Sequence, residues 1–149
     1  MKITNIENFI VDAGWRPWGF VKVETDEGIT GWGECSDGRS PNGVAGTIED
    51  LKPVLIGTDP REFEMRFWDM FRATRQSPGG IAAKALAGLD CAFIDIKAKS
   101  LGISVPELFG GPTRERVRVY WSHCGTSRVG NNELIGVPAL RTWDDITNL

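Results

Sequence analysis

The chain has 149 residues, 41% of them hydrophobic, with 17 Lys and Arg against 20 Asp and Glu, enough apolar material for one compact domain. A net charge of −3 with both signs interspersed offers no basic face to a polyanion, so neither nucleic acid nor an anionic membrane is an expected partner. Cys35, Cys91 and Cys124 are odd in number, far apart and without a CxxC spacing, which fits neither a disulfide framework nor a zinc site and points to a reducing compartment.

Residues 1–7 alternate polar and apolar side chains instead of offering a charged head and an apolar run, which argues against a signal peptide. The longest apolar runs fall well short of the ~20 residues of a membrane span, and a soluble cytoplasmic protein is expected. Ile3, Ile6, Phe9 and Val11 give an imperfect but strand-like alternation. Residues 20–25, the turn Asp26-Glu27-Gly28 and residues 29–34 read as a hairpin, with Gly28 supplying the positive φ of a tight turn. Residues 13–19, with two glycines, a proline and two indoles, match neither period and are expected to be a loop. A second loop is expected over residues 36–40.

Three helices with start signals follow. Ser40 then Pro41 reads as an N-cap with proline at the first helical position, and Val44, Ile48, Leu51 and Leu55 keep helical spacing. Asp59-Pro60-Arg61-Glu62 predicts a second start, Asp59 capping and Glu62 reaching back, before Phe63, Phe67 and Phe71 line one face. The third helix, over 81–101, carries Leu86, Leu89, Phe93 and Ile96 on one stripe and Ala83, Ala87 and Cys91 on a small-residue stripe, the pattern of a helix held between two layers. Gly102 ends it. Residues 105–111 read as a short helical turn closed by a glycine pair, and residues 116–122 as a strand. A Gly- and Asn-rich loop runs to Thr142, which caps a last helix with acids in its first turn.

Residues 21–34, closing on Gly31-Trp32-Gly33-Glu34, together with residues 86–102, containing Leu89-Asp90-Cys91-Ala92-Phe93-Ile94-Asp95, and Pro106-Glu107-Leu108-Phe109-Gly110-Gly111, resemble the amino-terminal capping domain of the enolase superfamily, in its mandelate racemase and muconate-lactonising branch. The resemblance runs to about Tyr120. It implies an α+β fold: an N-terminal capping domain over 1–111, a three-stranded antiparallel sheet then helices, followed over 112–149 by the first strand, loop and partial helix of an incomplete (β/α)-barrel. A complete barrel takes roughly 250 residues.

In that family the reaction removes the proton next to a substrate carboxylate, and the enediolate is held by Mg²⁺ beside a base. The resemblance implies that the metal carboxylates and bases come from later barrel strands absent from this chain. No catalytic or metal-binding residue is therefore assigned, and the chain alone is expected to be inactive. The implied parent is a Mg²⁺-dependent acid-sugar (aldonate or aldarate) dehydratase. A racemase, epimerase or cycloisomerase shares its first step, and a non-catalytic interaction module is the reading from a different class. The expected partners are a small carboxylate substrate, a sugar acid, and further copies of the chain in a homo-oligomeric full-length form.

The two loops occupy the positions of the family's capping loops, which close over the distal end of the substrate. The resemblance thus makes Trp15, Arg16 and Arg39 substrate-binding candidates, with a locally packed indole or a solvated guanidinium as the plain alternative. His123, the only histidine, ends the predicted 116–122 strand at what would be the catalytic face of a barrel; a substrate contact and a structural hydrogen bond are its two readings. Glu34 and Asp37 are read as solvated acids, and Gly31-Trp32-Gly33, which lacks the third glycine of a dinucleotide loop, as strand packing.

Overall fold

The computed structural model describes residues 1–14, 16–120 and 125–148. The chain divides into two compact units, Met1–Pro112 and Thr113–Leu149. The first opens with strands β1 (Ile3–Asp12), β2 (Pro17–Thr25) and β3 (Thr30–Glu34), which form an antiparallel sheet in that order. A register shift between Ile3 and Asn5 explains the imperfect alternation: the irregularity lets Ile3 and Ile6, three apart, both face the core. Val21 and Val23 of β2 join them, while Phe9, Trp18 and Trp32 lie on the outer face at 39%, 40% and 46% exposure. Strand β2 starts at Pro17, earlier than expected. Its ladder with β1 runs on through Ile10↔Gly19, Val11↔Trp18 and Asp12↔Pro17, and a proline is tolerated as the first residue of a strand because its missing N–H interrupts nothing there.

Helices α1 (Pro41–Leu55), α2 (Phe63–Ala73) and α3 (Gly80–Leu101) close over the inner face, and α4 (Val105–Leu108) follows with a Ser104–Glu107 capping box. Val44, Ile48, Leu51 and Leu55 are buried as their spacing predicts. The second helix begins at Phe63. The Asp59 carboxylate is engaged instead by the backbone N–H of Arg61 at 2.9 Å and by its guanidinium at 2.6 Å, which folds residues 59–62 into a turn. Its buried residues are Arg66 and Met70, with Phe63 and Phe67 partly buried against the core and Phe71 at 39% exposure.

Helix α3 is the centre of the unit and is covered on two sides, as expected, but its small-residue stripe is Ala85, Gly88 and Ala92. The predicted Ala83, Ala87 and Cys91 are exposed. The reason is contact distance. A Cβ placed on Gly33 would stand 1.9 Å from the Gly88 carbonyl oxygen, and one on Gly31 would stand 2.1 Å from that of Ala92, so β3 and α3 meet backbone to backbone and only their glycines permit it. Gly31-Trp32-Gly33 is strand packing. The outer edge of β3 is also served by α3: Asp95 Oδ2 accepts the Trp32 backbone N–H at 3.0 Å, and Lys99 Nζ donates to the Thr30 carbonyl at 2.8 Å while pairing with Asp95 at 2.7 Å. These side chains satisfy backbone groups that a further strand would otherwise take.

In the second unit, residues 116–120 form no strand, and Val117, Val119 and Tyr120 are 72%, 85% and 88% exposed. Strand-like side chains do not suffice where no neighbouring strand supplies backbone partners; the remaining residues of that prediction, Trp121 and Ser122, lie outside the described residues. The predicted loop holds a short helix, α5 (Thr126–Gly130), and turns. The last helix, α6 (Trp143–Thr147), is capped as predicted: Thr142 Oγ1 accepts from the Asp145 N–H, and the Asp145 carboxylate accepts from the Thr142 N–H. The Arg141 backbone N–H first, and that of Thr142 second, hold the Asp145 carboxyl below its ordinary pKa. Among the described residues no helix is long and apolar enough to cross a membrane.

Candidate functional site

The first loop joins β1 to β2 and is shaped from within. Asp12 Oδ1 accepts the Gly14 N–H at 2.8 Å, the Arg16 carbonyl accepts the Ala13 N–H at 3.2 Å, and Gly14 takes φ +90°. The second loop leaves β3 beside it, where the Cys35 N–H donates to the Gly19 carbonyl at 2.9 Å and the Gly19 N–H donates to Ser36 Oγ at 3.1 Å. These two bonds bring the ends of β2 and β3 together. Arg16, Pro17, Trp18, Glu34, Ser36, Gly38 and Lys84 consequently line one cleft of about 340 Å³. Arg16 also lines a neighbouring cleft of about 420 Å³ with Ile10, Asp12, Gly14 and Pro17.

Asp37 organises the second loop. Its Oδ1 accepts the backbone N–H groups of Arg39 at 2.9 Å and Ser40 at 2.7 Å, and its Oδ2 pairs with Lys84 Nζ at 2.5 Å. The Lys84 hydrogen bond first, then the two backbone donors, lower the Asp37 pKa to about 2. The acid read from sequence as solvated is thus a fully engaged acceptor. Next to it, burial first and the Glu34 charge second push the Cys35 thiol up, which keeps it protonated and unreactive.

The structure brings Arg16 to the cleft with the second loop, represented there by Gly38. The exposed Arg39 follows Gly38 and is not among the described residues lining the cleft. Trp15 and His123 lie outside the described residues. Lys84 is the residue that sequence reasoning missed. It reads as one more charge on the polar surface of α3, and only its three-dimensional position, 47 residues from Asp37, reveals the contact. Glu34 is in the cleft as well, and among the described residues that line it there is no second carboxylate; Asp37 is committed to the loop and to Lys84. Among the described residues no group of three or more His, Cys, Asp or Glu could hold a metal. The described residues therefore supply no ligand set for Mg²⁺.

A three-stranded antiparallel sheet backed by helices, with two adjoining strand-end loops over a charged cleft, is the capping-domain architecture of the enolase superfamily. The model of the mandelate racemase / muconate lactonizing enzyme N-terminal domain matches residues 13–110, and the chain belongs to that family. It is 41% identical over 121 residues to the D-galactonate dehydratase of Variovorax paradoxus (strain S110), covering 80% of this chain and 31% of that protein. Its fold matches a candidate L-alanine-DL-glutamate epimerase from Burkholderia xenovorans strain LB400 with a TM-score of 0.83 and 40% identity, over 89% of this chain and 34% of the other. It also matches an enolase from Pantoea ananatis with bound D-gluconate and Mg, with a TM-score of 0.71 and 35% identity over 75% and 28% of the two chains. The chain spans about a third of the length of the curated relatives it matches.

Proposed function

We propose that this chain is the substrate-recognising part of a Mg²⁺-dependent sugar-acid dehydratase, with residues 1–111 as the capping domain and residues 112–149 as the entry into a barrel, in a cytoplasmic homo-oligomer. The observation that carries the reading is the cleft in which Arg16, Lys84 and Ser36 converge from both loops and α3. A guanidinium fork suits a carboxylate or paired hydroxyls, an ammonium adds a point charge, and the Ser36 hydroxyl retains a proton to donate. Such a set binds and orients a polyhydroxy acid. The similarity to D-galactonate dehydratases and to an enolase holding D-gluconate and Mg supports the same substrate class.

Dehydration removes the C2 proton, expels hydroxide from C3 and leaves an enol that becomes a 2-keto-3-deoxy acid. Mg²⁺, held by residues other than those described, would supply electrostatic stabilisation of the developing negative charge; the described residues hold the polyol end and contribute no proton transfer. The purified chain alone is accordingly expected to turn over no aldonic or aldaric acid in the presence of Mg²⁺. Trp15, Arg39 and His123 are proposed as further substrate contacts. The test is a chimera in which this chain replaces the matched segment of the Variovorax enzyme. Mg²⁺-dependent formation of a keto-deoxy acid is expected, with Arg16→Ala raising KM, as loss of uniform binding does. A folded chimera inactive on every aldonic and aldaric acid assayed, or one indifferent to Arg16→Ala, overturns the reading. The fold match to a candidate epimerase favours a second reading. It shares the proton abstraction and is told apart by solvent deuterium entering the substrate without loss of hydroxide.

A further inference from the structure

The Asp37 carboxylate serves two masters: one oxygen shapes the loop through the Arg39 and Ser40 amides, and the other reaches Lys84 on α3. The first contact is local and bends residues 37–40 into a turn, but the carboxylate that makes it can swing away unless something outside the loop holds it. The second ties the carboxylate at the centre of that turn to α3. Its anchor is the firmest available, because Lys84 stands one helical turn before Gly88, where a Cβ would meet Cys35 Cβ at 2.7 Å and the Glu34 carbonyl at 3.3 Å. The helix cannot shift against the end of β3 without a clash. The side chains of Lys84 and Asp37 are 46% and 14% exposed, so the carboxylate is shielded by the loop and reached by the lysine stem from the cleft side.

We propose that Lys84 is a positioning residue that latches the second loop to α3 and so fixes where Gly38 and Arg39 stand relative to Arg16. The consequence for recognition rests on the reading of this cleft as a sugar-acid site; the latch itself does not. An ammonium suits the task. It is a compact charge on a long stem, and it leaves the cleft open where a larger planar guanidinium would fill it. The charged groups around it are Glu34 from β3 and Arg16 from the first loop, which line the same cleft, and Asp37 from the second loop. Of these, Asp37 receives its proton donor.

The test uses the ¹⁵N- and ¹³C-labelled 149-residue chain and follows two readouts by NMR: solvent exchange of the Arg39 and Ser40 amides, and the pH titration of the Asp37 carboxyl carbon. Lys84→Met keeps the stem and removes the charge. It is expected to raise both exchange rates several-fold and to move the Asp37 midpoint from about 2 towards the ordinary carboxylate range, while Lys84→Arg restores most of the protection. Unchanged amides in Lys84→Met, with raised exchange in Asp37→Asn, would show that the turn holds itself and would overturn the latch. Failure of the sugar-acid reading is seen separately, in the chimera's KM, and leaves these amide rates untouched.

Discussion

At the scale of single residues the most demanding positions are glycines that carry no side chain at all. Gly33 faces a backbone carbonyl at 1.9 Å from where its Cβ would stand, and backbone cannot swing aside as a flexible side chain could. Gly33→Ala is therefore expected to destabilise the domain at or beyond the upper end of the ~1–3 kcal/mol typical of overpacking, read as a fall in the urea midpoint. Gly46, on the exposed side of α1 with nothing within 4 Å of its Cβ position, should behave oppositely. Gly46→Ala is expected to add about 0.5–1 kcal/mol because alanine loses less entropy in a helix. Asp37 gives the residue-scale pH dependence. Its folded pKa of about 2 lies below the unfolded value of 3.8, so its contribution is complete above about pH 4 and disappears as pH falls through about 2. The Ser40 amide shift should titrate with that low midpoint; a midpoint near 4 would mean that neither Lys84 nor the turn holds the carboxylate.

Among elements, the edge of β3 carries the clearest consequence. Asp95 and Lys99 stand at i,i+4 on α3, a spacing worth only a few tenths of a kcal/mol as an ion pair, yet both spend hydrogen bonds on the backbone of Trp32 and Thr30. A hydrogen bond to a charged group is worth more than a surface pair, so Asp95→Ala is expected to cost about 1–2 kcal/mol. It should also expose the Trp32 amide to exchange and promote self-association through the bared edge. Asp95→Asn keeps an acceptor and should retain the Trp32 protection. Unaltered exchange at Trp32 in the alanine variant would show that something else covers the edge. The same elements show what a sequence can and cannot disclose. The α1 face, the Gly28 turn and the Thr142 cap were legible because their causes lie within a few residues. The start of α2 was not, because Asp59 had a closer claimant in Arg61 than the helix it could have capped. The small-residue stripe of α3 was misplaced by one or two positions because neighbouring registers of alanine and glycine look alike until β3 selects one. In the cleft, Arg16 was legible from loop composition and resemblance, whereas Lys84 depends on a contact across 47 residues that no local pattern encodes.

For the whole molecule, the two units differ in what holds them. The buried cluster built from Ile3, Ile6, Val21, Ile48, Leu89, Phe93 and their neighbours lies entirely within Met1–Pro112. In Thr113–Leu149, Leu140 is the one buried hydrophobic among the described residues, and Val129, Leu134, Trp143 and Ile146 are exposed. A buried leucine contributes roughly 1.5–3 kcal/mol, which offsets the backbone ordering of one or two residues at about 1–2 kcal/mol each. Caps such as Thr142–Asp145 add about 1 kcal/mol of helix stability and cannot make up the difference. A chain ending at Pro112 is therefore expected to melt cooperatively at nearly the temperature of the 149-residue chain. A peptide of residues 113–149 should show no cooperative transition. In the complete chain, amides across Val117–Tyr120 should exchange almost as freely as in an unfolded peptide, because they form no strand here. Hydrogen exchange on a dilute sample shown to be monomeric by sedimentation decides the point: strong protection across those four residues would mean that the segment finds strand partners within its own chain, and that the second unit has a source of stability beyond its caps and turns.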